Sequence, residues 1–133
     1  MGFANADEVV KYLGGIFEDA FADPELGPKL RATGARLRTT YSDPDVSLII
    51  DLGAGEIRPV GEDDGDVAEM QMSADTGNAY WQGKVNLPLA MAKGKVKVSG
   101  NIASLLKMAP LTKKLVPNYV ERLKVDGRTD LLV

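Results

Sequence analysis

Residues 74–109 read ADTGNAYWQGKVNLPLAMAKGKVKVSGNIASLLKMA, and their succession of short elements decides the fold. Ser73 or Asp75 caps a helix that carries Tyr80 and Trp81 and stops at Gly83. A second short helix covers Leu87 to Ala92, with Pro88 in its first turn, where a missing N–H does no harm. Residues 95–99 then alternate as a strand, with Val96 and Val98 inward and Lys93, Lys95 and Lys97 on the other side. Asn101 caps a further helix whose apolar face holds Ile102, Leu105, Leu106 and Ala109.

Upstream, Asn5 or Asp7 caps a helix running to Asp23. Val9, Val10, Leu13, Ile16, Phe17, Ala20 and Phe21 recur there at helical spacing. Gly14-Gly15 interrupts that face at about 1 kcal/mol per glycine relative to alanine, so close packing or ligand access is expected there. Pro24 ends this helix and starts a short second one with Leu26 and Leu30 inward. The period then changes to two. Leu37, Thr39 and Tyr41 alternate with Arg36, Arg38 and Thr40, and after a turn Val46, Leu48, Ile50 and Leu52 alternate with Ser47, Ile49 and Asp51. Residues 56–60 form a third strand, which Pro59 places at an edge. An acidic loop leads to a fourth strand with Ala68, Met70 and Met72 on one side. A last helix spans about 111–123, interrupted or restarted at Pro117, and offers Leu115, Val116, Tyr119, Val120 and Leu123.

The expectation is a helix-first α+β domain covering residues 1–133. Its five-stranded, mainly antiparallel sheet has helices packed on one face. Spacing alone leaves open whether strand four forms a hairpin with strand three or hops across the sheet.

Composition excludes several classes. There is no His and no Cys among 133 residues, so there is no Ser-His-Asp triad, no thiol nucleophile and no imidazole or thiolate metal site. A Ser-Lys pair could be built only from Ser99 or Ser104 with Lys97 or Lys107, where a strand end and a polar helix face are the plainer roles. The glycines lack phosphate-cradling spacing. Glu62, Asp63, Asp64 and Asp66 offer oxygens to a hard cation but miss the calcium-loop pattern, so they read as an acidic loop tip. Neither a metal nor a cofactor is expected. The net charge of -3 and lysines without interleaved aromatics argue against nucleic acid. No apolar run approaches a membrane span, the first residues are polar and acidic, and the last three are not a peroxisomal address; the expected location is cytoplasmic.

The charge is unevenly spread. Residues 1–66 carry 14 acids and 6 bases, and residues 67–133 carry 5 acids and 10 bases. Such a split either balances within the fold or presents a basic face to an anionic surface.

The apolar residues are of an adaptable kind. Met70, Met72, Met91 and Met108 fall on faces assigned inward, and methionine fills irregular spaces and promiscuous sites. Tyr80-Trp81-Gln82-Gly83-Lys84 and Lys93-Gly94-Lys95-Val96-Lys97-Val98-Ser99-Gly100-Asn101 closely resemble the lipid-binding core of the sterol carrier protein type-two family. The order of elements is similar over nearly the whole chain, by pattern alone in its first half.

That resemblance implies a curved sheet enclosing, with its helices, a hydrophobic tunnel for fatty acid, acyl-CoA, phospholipid or sterol, with no metal and no catalytic residue. It also implies that strand four crosses over to lie beside strand one. With the face assignments, it gives an expected lining of Phe17, Phe21, Leu48, Ile50, Met70, Met72, Trp81, Leu89, Met91, Val98, Ile102, Leu105, Leu106, Met108 and Val120. The implied activity is non-catalytic lipid binding and carriage; separately, Lys93, Lys95, Lys97, Lys107, Lys113 and Lys114 offer transient contact to an anionic membrane if the fold brings them to one face. The alternatives are an interaction or dimerisation module, including a homodimer or an accessory subunit of a lipid-metabolising enzyme, and a small enzyme acting on a bound lipid.

Overall fold

The computed structural model of the chain describes residues 3–59, 67–101, 103, 105, 110, 111 and 113–133. The chain opens with α1 (Ala6–Val9), passes through a π-helical turn at Val10–Gly14, and continues as α2 (Gly15–Ala22). The Asn5 side chain caps α1 by accepting from the Glu8 N–H at 3.0 Å. The π turn holds Gly14, the first glycine of the expected pair. One face of this helix is buried throughout: Val9, Tyr12, Leu13, Ile16, Phe17 and Ala20 are each at most 2% exposed. Asp23 ends it, and its carboxylate accepts from the Glu25 and Leu26 N–H groups to start α3 (Leu26–Thr33).

The sheet consists of β1 (Arg36–Ser42), β2 (Val46–Asp51), β3 (Glu56–Pro59), β4 (Ala68–Ser73) and β5 (Val96–Gly100), in the order β3-β2-β1-β4-β5. β1 and β4 are parallel and every other pair is antiparallel. The connection after β3 therefore hops over two strands, and Pro59 ends the edge strand β3. The acidic residues at 62–66 lie outside the described residues.

Register explains which side chains share a face. Leu37, Thr39 and Tyr41 stand beside Ile50, Leu48 and Val46 on one flank and Ala68, Met70 and Met72 on the other. Val98 and Val96 extend that row onto β5. This inner face packs against the helices. The outer face pairs opposite charges in register: Arg36 with Asp51 at 3.4 Å and Arg38 with Glu69 at 3.0 Å. Ile49 also lies on the outer face yet is fully buried, flanked by Arg38 and Arg58; long Arg side chains shield such a residue with their alkyl stems.

Ser73 ends β4 and caps α4 (Ala74–Trp81), accepting from the Thr76 N–H at 3.1 Å. Asn86 caps α5 (Leu87–Ala92). Ala103 and Leu105 are helical, as expected after Asn101. A 3-10 turn at Lys113–Leu115 leads into α6 (Val116–Val125), with Pro117 in its first turn, so the last helix does restart at this proline. A final 3-10 turn at Thr129–Leu131 buries Leu131. Arg128 fastens this end to the start of the chain. Its guanidinium bonds Glu8 at 3.1 Å and Asp130 at 3.1 Å and sits over the Tyr12 ring.

Candidate functional site

α4 lies across the open inner face of β1 and β4, and its sequence sets how closely. Ala74, Gly77, Asn78 and Trp81 recur on its buried side. Gly77 lets the Tyr41 ring pack directly against the helix backbone, since a Cβ there would stand 2.6 Å from the ring. One turn on, Trp81 packs edge-on to Phe17 at 5.2 Å between ring centres and to Tyr80 at 5.1 Å. Trp81 thus joins the first helix to a cavity on its other side.

That cavity has a volume of about 580 Å³. Its described lining is Tyr80, Trp81, Gly83, Val85, Asn86, Leu87, Pro88, Lys113 and Val116, contributed by the end of α4, the start of α5 and the start of α6. The walls are mostly apolar, and Asn86 and Lys113 supply polar groups. An apolar space with a few polar groups holds a hydrophobic small molecule by burying its surface. Among the described residues no three acidic side chains gather as a metal site.

The expected lining is distributed as follows. Trp81 lines the cavity, and Phe17 supports it from behind. Phe21, Leu48, Ile50, Met70 and Met72 are buried in the packed core, outside the described cavity wall. Val98, Leu105 and Val120 are half-buried. Ile102, Leu106 and Met108 lie outside the described residues.

The inward assignment of Leu89 and Met91 is corrected. They are 51% and 44% exposed. α5 has only six residues, and Ala90 is its buried residue, with Leu87 three positions earlier half-buried; Leu89 and Met91 flank that stripe and point away. The eight lysines of residues 67–133 do not all share one face: Lys84, Lys93 and Lys95 line one groove. Lys113 lines the cavity, whereas Lys114 stands in a cleft with Asp23 and Glu25, and Lys107 lies outside the described residues.

Two polar groupings beside the cavity were not anticipated. Asn78 and Gln82, four apart on α4, hold the chain's last turn. Asn78 and Gln82 donate to the Leu131 carbonyl at 2.7 and 2.8 Å, and the Val133 N–H donates to Gln82 at 2.9 Å. The Tyr119 hydroxyl donates to Asn78 at 2.6 Å. Burial pushes the Tyr119 phenol well above its ordinary value. Two amides four apart on a helix with an apolar side were the available signal. The second grouping is Thr39 and Tyr41, next to Trp81. Burial pushes the Tyr41 phenol up to about 12, while the nearby Trp81 indole and Thr39 hydroxyl pull it down. Their proximity is felt electrostatically but is not a hydrogen bond for Thr39, whose buried hydroxyl has no partner.

Known proteins share this architecture. The sterol carrier protein domain 2 of Helicoverpa armigera superposes with a TM-score of 0.70 at 20% identity, over 88% of this chain and 96% of that one. Sterol carrier protein 2 of Yarrowia lipolytica, in its apo form, gives 0.60 at 19% identity over 76% and 87%. The ubiquinone synthesis protein UbiJ-SCP2 gives 0.58 at 18% identity over 82% and 96%. Identities this low establish the fold alone. No curated protein sequence matches the chain. The profile of the SCP-2 sterol transfer family matches residues 16–113, from the middle of the first helix to the 3-10 turn before α6. A match over most of its length places this chain in the SCP-2 sterol transfer family, a family of lipid-binding domains.

Proposed function

We propose that residues 1–133 act as one domain that binds a lipid in the space beside Trp81 and carries it without chemical change. The observation that carries this reading is the cavity of about 580 Å³ walled by Trp81, Leu87, Pro88 and Val116. Its size falls in the range of small-molecule sites, roughly 300–1,000 Å³. Each methylene moved from water into such a space contributes about 0.8 kcal/mol. A ligand burying ten or so would keep low-micromolar affinity, about -8 kcal/mol, only if the costs of association stay small. Fatty acid, acyl-CoA, phospholipid and sterol all offer that much apolar surface. Met70 and Met72, flexible and next to Thr39 and Tyr41 on the inner face, can repack as a ligand extends inward.

A second reading, an accessory subunit or dimerisation module, is favoured by the exposed Leu89 and Met91 and by the fold shared with a ubiquinone synthesis protein. Titration with fluorescent fatty acid, acyl-CoA, phospholipid and sterol probes separates the two. Saturable binding of at least one probe, competed by its unlabelled counterpart, is expected. Failure of every class to bind would leave the interaction module as the better reading.

A further inference from the structure

We propose that α5 and the lysines around it form a docking site for an anionic phospholipid surface, placed at the mouth of the cavity. The proposal deepens the lipid-carriage reading and rests on it for its purpose, though not for its test.

α5 presents two different faces. Leu87 and Pro88 line the cavity, while Leu89 and Met91 stand exposed on the same short helix. Beside that exposed side runs a groove lined by Lys84, Lys93 and Lys95 together with Leu89, in which Asp75 is the one acid among the described residues. Lys97, exposed on β5, shares a neighbouring cleft with Lys95. Val85 and Asn86 line both groove and cavity, so the basic surface and the apolar space adjoin.

The lysines of this surface outnumber its one acid, Asp75. Arg36, Arg38, Arg122 and Arg128 are all drawn into ion pairs with carboxylates. Lys84, Lys93, Lys95 and Lys97 make none among the described residues. Exposed apolar side chains ringed by lysines suit a surface that is apolar below and negative at the top, which describes an anionic leaflet. Docking in this pose would bring the cavity mouth to the headgroups, so a lipid tail could pass without crossing water.

The test is flotation of the full chain with phosphatidylcholine vesicles, with and without phosphatidylglycerol. Binding is expected to the anionic vesicles and to fall as salt rises. Replacing Lys84, Lys93 and Lys95 together by Gln should weaken it by about a hundredfold, at roughly fivefold per lysine. The pair Leu89→Ser and Met91→Ser should weaken it by about tenfold. All variants should keep the native circular dichroism spectrum and bind a fluorescent lipid probe in vesicle-free buffer as the parent does. That readout separates failure of docking from failure of lipid binding. Equal flotation with both vesicle types, or unaltered flotation of either variant, would overturn the proposal. So would a surface that binds an acidic protein while ignoring anionic vesicles.

Discussion

A Cβ on Gly77 would stand 2.6 Å from Cε1 of Tyr41, with Leu13 also within 3.2 Å. α4 can cross the sheet at its observed height only because residue 77 has no side chain. Gly77→Ala forces either the helix or the buried ring to move. Overpacking of this kind costs about 1–3 kcal/mol, which outweighs the ~1 kcal/mol an alanine gains in a helix. Gly14→Ala should do the opposite. A Cβ there meets Leu48 at 3.5 Å, an ordinary contact, so the helix gain of about 0.5–1 kcal/mol stands. Urea denaturation of the two variants should move the midpoint in opposite directions; a destabilised Gly14→Ala protein would contradict the packing described.

The clasp on the last turn should be graded by what each change leaves unpaired. Asn78→Ala strands the buried Tyr119 hydroxyl and removes a donor from the Leu131 carbonyl. A loss of about 1–3 kcal/mol is expected. Tyr119→Phe leaves Asn78 its other partners and should cost less, about 0.5–1.5 kcal/mol. Denaturation midpoints in the reverse order would mean that the phenol, not the amide, organises the network.

Stability should fall on the alkaline side. The folded pKa of Tyr41 is raised to about 12 by burial, and that of Tyr119 is raised for the same reason. In the unfolded chain both phenols titrate near 10. Between those values the unfolded state binds fewer protons than the native state, so the slope of stability with pH is negative. The contribution is complete below pH ~10 and is lost as pH rises through the folded values. Phenolate absorbance should show Tyr41 and Tyr119 ionising only as the chain unfolds, with Tyr41→Phe and Tyr119→Phe each removing one such group; their free ionisation in the folded protein would refute this.

Much of the fold was legible where one period dominates. The alternation in β1 and β4 put Leu37, Tyr41, Met70 and Met72 inward, and all four are buried. Each of these helix starts was announced with two cap candidates, because a cap is a local choice, and the structure uses Asn5 rather than Asp7 and Ser73 rather than Asp75. The site was less legible because its wall is made by turns and helix ends. Val85 and Leu87 belong to no long periodic stretch, Val116 stood in the apolar set of the last helix with nothing to mark it as wall, and a six-residue helix cannot declare which of Leu87, Leu89, Ala90 and Met91 faces in. Ile49 defied the alternation because its flanking arginines are set by cross-strand register. Leu131 is buried by the amides of Asn78 and Gln82, some fifty residues away, a distance over which no pattern carries.

Lipid occupancy is tested most directly by native mass spectrometry of the purified protein before and after organic extraction, and again after the extracted protein is offered fatty acid, acyl-CoA, phospholipid and sterol in turn. Lipid carriage predicts one adduct of lipid mass per chain, lost on extraction and restored by at least one class. A single unliganded mass throughout, from a protein that keeps its native charge-state distribution, would contradict it.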